Sequence, residues 1–349
     1  MYMLTMKNGQ AEARALKKLL GSGYIADDCL PLVEIIRLDK HDPGPADGFS
    51  SCHETLGKID GLMPGRKMLI DFFRGDLSRY KSINASKCGL VFRMNNSLDA
   101  YSDHLLAISN YKNLVPVIAV KEGVENLSPE RLVELAFTIR KARPNWPLAI
   151  RVEKFEGYED ALRAVLTSDD YLIYDINETP LVSRVEELEE LSSLGLPAEA
   201  ILLCSPRRRD IKNGSYEDGC PIDNSHIVNY VAWGFDGVGD YAGLRDTLPG
   251  KGGARGCALA LMYKGASNDF KAYVNPDSRQ GTSGFRYVVG RLLADRSTLE
   301  RFPGECLVLS TVADKAERGH FGAFPTWIEY TIERYVQQLY LAHGNSYVL

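Results

Sequence analysis

Residues 32–36 read Leu32-Val33-Glu34-Ile35-Ile36, and residues 68–73 read Met68-Leu69-Ile70-Asp71-Phe72-Phe73. Each is a short apolar run with a single acid inside it. A strand that is apolar at nearly every position suits a parallel sheet, because helices cover such a sheet on its open face and leave neither side to water. Segments of the same kind recur at 89–92, 114–120, 148–152, 171–176, 200–204 and 235–238, which makes eight.

Helical patterns fill the intervals. Gly9 to Leu20 places Ala11, Leu16, Leu19 and Leu20 on one stripe. Ser51-Cys52-His53-Glu54 has capping-box spacing. Ser128-Pro129 sets a cap residue before a proline, whose missing N–H costs nothing in a first turn, and Leu132, Leu135, Ala136 and Ile139 follow as a stripe. Tyr158, Ala161, Leu162, Val165 and Leu166 form another. Ser183 with Glu186 opens a third helix, ending at Gly195 before Pro197. Residues 222–233 are read as the last crossover. Eight strand–helix repeats favour a closed eight-stranded parallel β/α barrel of the TIM type, with an open doubly wound sheet as the alternative. The expected division is a barrel over 1–249 and an α+β extension over 250–349, packed on it. The extension holds a hairpin (257–263 with 270–274), a helix at 285–293 and a terminal helix bearing Trp327.

The chain has 349 residues, 45% hydrophobic and 25% charged, with a net charge of −5. That balance supplies a core and argues against nucleic acid as a partner. Residues 1–6 hold no long apolar stretch, so no secretory signal is expected. No apolar run approaches the roughly 20 residues of a membrane span. Seven scattered cysteines read as buried, reduced thiols of a cytoplasmic protein, and no Cys-x-x-Cys or His-Glu-x-x-His pattern suggests zinc.

Alternate residues of a strand point to opposite faces. Where Val33 and Ile35 face the helices, Glu34 faces the barrel axis. The same parity turns Asp71, Arg93, Arg151, Glu153 and Asp175 inward, and Asp240 ends the last strand. Charge at the carboxyl end of a barrel belongs as a rule to an active site. Carboxylates in excess of arginines suit a hard divalent cation, Mg2+ or Mn2+, held by Glu34, Asp71 and Asp240. Glu153 and Asp175 are then the candidates for acid–base work, and Arg93 and Arg151 for gripping a phosphate or carboxylate. The glycine-rich loop at 250–256 offers Lys251 and Arg255 to the same anionic small molecule. The opposing reading is a closed ion-pair network, such as Glu34 with Arg151 or Asp71 with Arg93. Arg207-Arg208-Arg209 reads as a solvated charge run, and the scattered histidines as structural or exposed.

The helix before Leu32-Val33-Glu34-Ile35, the run Val115-Pro116-Val117-Ile118, and Gly239-Asp240-Tyr241 followed by a hairpin, Cys306 and a Trp327-bearing helix form one combination. In it the chain resembles the beta-protein family of bacteriophages and bacteria. It departs after Cys306, where Leu307-Val308-Leu309-Ser310 stands in place of an expected Gly-Asp. The resemblance implies a phage–host or defence setting and singles out Asp240, but brings no reaction with it. Two functions are therefore expected. One is a metal-assisted hydrolase or lyase on a phosphorylated or nucleotide-like small molecule. The other is a non-catalytic interaction protein with a protein partner in phage–host conflict.

Overall fold

The computed structural model describes residues 1–42, 51–80, 82–124, 127–228, 230–251, 256–300, 306–344 and 347. Arg255 lies outside the described residues. The chain folds as an α/β barrel of the TIM type. Its eight parallel strands are β1 (Tyr2–Lys7), β2 (Leu32–Ile35), β3 (Met68–Phe72), β4 (Leu114–Val120), β5 (Ala149–Val152), β6 (Tyr171–Asp175), β7 (Glu199–Leu203) and, after a short strand β8 (Pro221–Asp223) that lies elsewhere, β9 (Gly237–Asp240). Strand β9 pairs back onto β1 and closes the ring. Helices α1 (Gln10–Gly21), α2 (His53–Asp60), α3 (Gly89–Asn96), α4 (Leu98–Ala107), α5 (Pro129–Ala142), α6 (Glu159–Val165) and α7 (Val185–Ser193) lie between the strands in the chain. No helix among the described residues is long and apolar enough to cross a membrane.

Two expectations for the strands are corrected. Residues 89–92 begin helix α3. Its buried positions, Leu90, Val91, Met94 and Asn95, recur at helical spacing, which a four-residue run cannot reveal. The missing strand is β1. Tyr2, Leu4 and Met6 join the cluster packed under the helices, whereas Met3 joins the core on the barrel axis. Both faces of β1 are buried, so its sequence shows neither polar alternation nor a long apolar run.

Parity within β2, β3, β5 and β6 is as expected. Val33, Ile35, Ile70, Phe72, Ile150, Val152, Leu172 and Tyr174 pack outward, and Leu32, Leu69, Val115, Val117, Ala149, Ile173 and Ile201 fill the axis. Helix α5 starts as read, with the Ser128 hydroxyl accepting from the Arg131 N–H. Helix α2 does not start with the expected capping box: Cys52 rather than Ser51 holds the N-cap with no side-chain cap bond, and Asp42 takes the free N–H groups, its oxygens accepting from Glu54 N at 2.8 Å and Thr55 N at 3.0 Å.

The hairpin of the extension is present as β10 (Leu259–Lys264) and β11 (Asp269–Val274). Its third strand is β8, taken from the segment expected to be a crossover helix. Residues 225–228 and 230–233 form only short 3-10 turns. Helices α8 (Phe285–Ala294), α9 (Arg296–Leu299), α10 (Leu307–Glu317) and α11 (Phe324–Ala342) complete the extension, and a core including Met262, Tyr273, Phe285, Val288, Val308 and Trp327 holds it together.

The closing seam explains why β9 reads Gly-Val-Gly-Asp. A Cβ on Gly239 would lie 2.9 Å from the Met3 carbonyl oxygen, closer than real contacts allow. Asp240 is in register with Leu4 and, like it, points away from the axis. There Oδ1 accepts from the Tyr2 hydroxyl at 2.8 Å and from Ala242 N at 2.8 Å, and Oδ2 accepts from the α11 residue Tyr335 at 2.6 Å. His226 Nε2 lies 3.2 Å from the same Oδ2. Asp240 therefore clasps β9, β1 and α11 together. Tyr335→Phe removes one donor from this buried carboxylate and is expected to cost about 1–3 kcal/mol in urea unfolding. A loss under a few tenths would mean that the clasp carries no weight.

Candidate functional site at the barrel mouth

Arg151, in the middle of the mouth, is 1% exposed. Its Nη1 donates to Glu34 Oε1 and to Asp71 Oδ2, each at 2.7 Å. Its Nε and Nη2 both reach Asp175 Oδ2, at 2.9 and 2.6 Å. One guanidinium thus bridges carboxylates from β2, β3 and β6. Glu34 and Asp71 can share it because they are register partners on neighbouring strands. Tyr241, just past β9, accepts from Arg151 Nη2 at 3.1 Å and donates to Glu34 Oε1 at 3.0 Å.

Further ion pairs extend the network to the rim. Lys7, the last residue of β1, binds Glu34 and, at 2.7 Å, Asp246. Asp246 also accepts from Tyr80 at 2.7 Å and from Arg209 Nη2 at 2.6 Å. Lys121, just past β4, stands 3.6 Å from Asp175 and 3.9 Å from Glu153. Arg79 meets Glu153 at 3.3 Å. Phe73 lies under both ammonium groups, 4.1 Å from Lys7 and 5.2 Å from Lys121 to the ring centre. Five buried acids (Glu34, Asp71, Glu153, Asp175, Asp246) therefore face five bases (Lys7, Arg79, Lys121, Arg151, Arg209).

The environments of neighbouring acids differ. Burial pushes Glu34 up, but Lys7 and Arg151 outweigh it and hold the carboxyl below its ordinary value. Burial likewise opposes ionisation of Asp175, and Arg151 with Lys121 pulls it down. At Asp71 burial wins and its carboxyl is raised. Its Oδ1 is buried with no hydrogen-bond partner among the described residues.

Of the residues singled out from sequence, Glu34, Asp71, Arg151, Glu153 and Asp175 converge at the mouth. Asp240 does not, because its register turns it to the helix side. Arg93 does not, because it belongs to α3 and sits half-buried on that helix. Lys251 is exposed, its backbone N–H bound to Ser82 O. The charge run 207–209 is not simply solvated: Arg207 is buried, and Arg209 pairs with Asp246, while Arg208 is exposed beside Asp210. Sequence reading missed Lys7, Lys121, Arg209, Tyr241 and Asp246. Lys7 and Lys121 each end an apolar strand, as Glu153 does, and that position was their available signal.

The residues present do not fit a shared divalent cation. Glu34 and Asp71 already share Arg151, and Asp240, the expected third ligand, is on the other side of its strand. Among the described residues no group of three or more His, Cys, Asp or Glu is placed to hold a metal ion. A comparison with protein-family models returns no match for this chain, and a comparison with curated proteins returns none either.

Replacing Arg151 by Met strands buried carboxylates and is expected to cost about 3–5 kcal/mol at pH 7. The pH dependence should change sign as well. In the wild type, Glu34 and Asp175 have depressed values in the folded state, so their contribution is present above the ordinary values of 4.5 and 3.8 and is lost as pH falls through the folded ones. Without Arg151 burial dominates, the folded values rise, and the variant should gain stability between pH 7 and pH 5. Urea unfolding at both pH values measures this; a variant that weakens on acidification contradicts it.

Proposed function

We propose that the barrel mouth is the site of an enzyme that moves protons on a small anionic molecule, a hydrolase or lyase in class. One observation carries the reading. Adjacent strands present two carboxyl groups, Glu34 and Asp71, joined through one guanidinium nitrogen at 2.7 Å each, yet shifted in opposite directions. Carboxyl groups pushed apart in this way can divide acid and base roles between them at one pH. Asp71, with a free Oδ1 and a raised value, is the proton carrier. Arg151 is a positioning residue, since three carboxylates already occupy it. Lys121, in the looser pairs with Asp175 and Glu153, is the cation best able to turn toward a bound oxygen.

Access requires the rim to part. Lys7 and Arg209 are about a tenth exposed and Asp246 is buried, so the Tyr80–Asp246–Arg209 contacts act as the cover. This closure also favours the second reading, a non-catalytic barrel in phage–host conflict, since mutual pairing satisfies the charges without a ligand. The resemblance to the beta-protein family suits either.

The two are separated by incubating wild type and Asp71→Asn with a mixture of phosphorylated and carboxylated metabolites and following consumption by mass spectrometry. The enzyme reading expects a component consumed by wild type and lost by roughly 100-fold or more in the variant. No consumption by wild type, or equal consumption by both, overturns it.

A further inference from the structure

A cavity of about 200 Å³ lies between the barrel and the extension, lined among others by Thr5 of β1, Arg207 and Arg245 from the loops after β7 and β9, Leu261 of β10, and Trp327 and Ile328 of α11. Its two arginines differ from those of the mouth. Arg207 is 4% exposed. Its Nη1 donates to the Gly243 carbonyl at 3.1 Å and its Nε to the Tyr216 hydroxyl at 3.3 Å. Its Nη2 is buried with no partner among the described residues, and so is the Thr5 hydroxyl. Arg245 donates to the Ile211 carbonyl. Among the described residues, neither arginine forms an ion pair with a carboxylate. At the barrel mouth, by contrast, the buried cations pair closely with carboxylates, as Arg151 and Lys7 show.

A buried cation with no counter-charge is costly, and two near one another cost more. Burial, with Arg245 close by, holds the Arg207 guanidinium below its usual value. Lys7 also lines the cavity but is committed to Glu34 and Asp246. Glu12 is the cavity's own carboxyl; burial pushes it up, which weakens its claim as the missing counter-charge. The lining also includes the apolar side chains Leu259, Leu261, Phe324, Trp327 and Ile328. We infer that this cavity binds a small organic anion, its phosphate or carboxylate held by Arg207 and Arg245 and its apolar body lying against Leu261, Trp327 and Ile328. Guanidinium groups offer a planar fork of donors that suits either oxyanion.

The cavity is not remote from the mouth. Tyr241 forms part of its wall and bonds to Arg151 and Glu34. The ligand's role as a substrate rests on the reading of the mouth as catalytic, whereas its binding does not.

Isothermal titration of the full chain with inorganic phosphate, phenyl phosphate and benzoate tests this. An aromatic anion should bind more tightly than inorganic phosphate, and the stronger of the two identifies the preferred head group. Arg245→Gln, at a half-buried position, should weaken binding at least about tenfold. Arg207→Met serves as a second variant, with circular dichroism confirming that each is folded. Arg208→Gln, exposed beside Asp210, should bind as wild type. Absence of binding by all three probes, or unchanged binding in folded Arg245→Gln and Arg207→Met, overturns the inference; inorganic phosphate binding as well as the aromatic anions overturns its apolar half. Anion binding by a wild type that consumes nothing from the metabolite mixture sinks the catalytic reading alone, and consumption without these anion effects sinks the cavity alone.

Discussion

The guanidinium of Arg151 sets the conditions for everything around it. A barrel axis is normally filled by apolar layers, as Leu32, Leu69, Val115, Val117 and Ile201 fill this one lower down. Above them Glu34, Asp71 and Asp175 enter from three strands, and none is open to water. Ionised carboxylates in that position persist only if a cation sits within hydrogen-bond reach. Arg151 fills that place with its planar fork, and its register opposite Ala119 and Ile173 aims it across the axis. Lys7, Lys121 and Arg209 then act on what remains. The mouth is organised from one residue outward.

Much of the fold was legible because it rests on periodicity. Continuous apolar runs marked six barrel strands and half of a seventh, β9, and alternation within them turned Glu34, Asp71, Arg151 and Asp175 inward. What was illegible had a physical reason in each case. Residues 89–92 are apolar as a strand would be, and only the next turn, with Met94 and Asn95, shows the helical period. Strand β1 ends in Lys7 and holds Thr5, polar residues that a barrel tolerates because their neighbours pair with or enclose them. A single sequence does not show those neighbours.

The site was harder to read than the fold. Inward acids could be counted from parity, but their partners come from strand ends and loops, where parity gives no guidance. Lys121, Asp246 and Arg209 follow strands rather than lie within them. The apparent excess of negative charge therefore came from counting strand residues alone. With the loop residues included, each buried acid has a base, and the case for a bound cation as charge relief disappears. The sequence motif of three arginines misled for the same reason: Arg207 and Arg209 are held by Tyr216, which follows β7, and by Gly243 and Asp246, which follow β9.

Asp240 and Tyr241 show how the extension enters the barrel's chemistry. They are consecutive, so their side chains leave the end of β9 in different directions. Asp240 goes outward to Tyr2 and to Tyr335 of α11; Tyr241 goes inward to Arg151 and Glu34. Asp240 thus ties to α11 the end of β9 that leads into Tyr241. The wall formed by Trp327 and Ile328 also belongs to α11. A ligand pressing on that wall and a rearrangement at the mouth are therefore joined through two adjacent residues. The extension is part of the frame that fixes the mouth, and it is where a ligand held outside the barrel would make itself felt inside it.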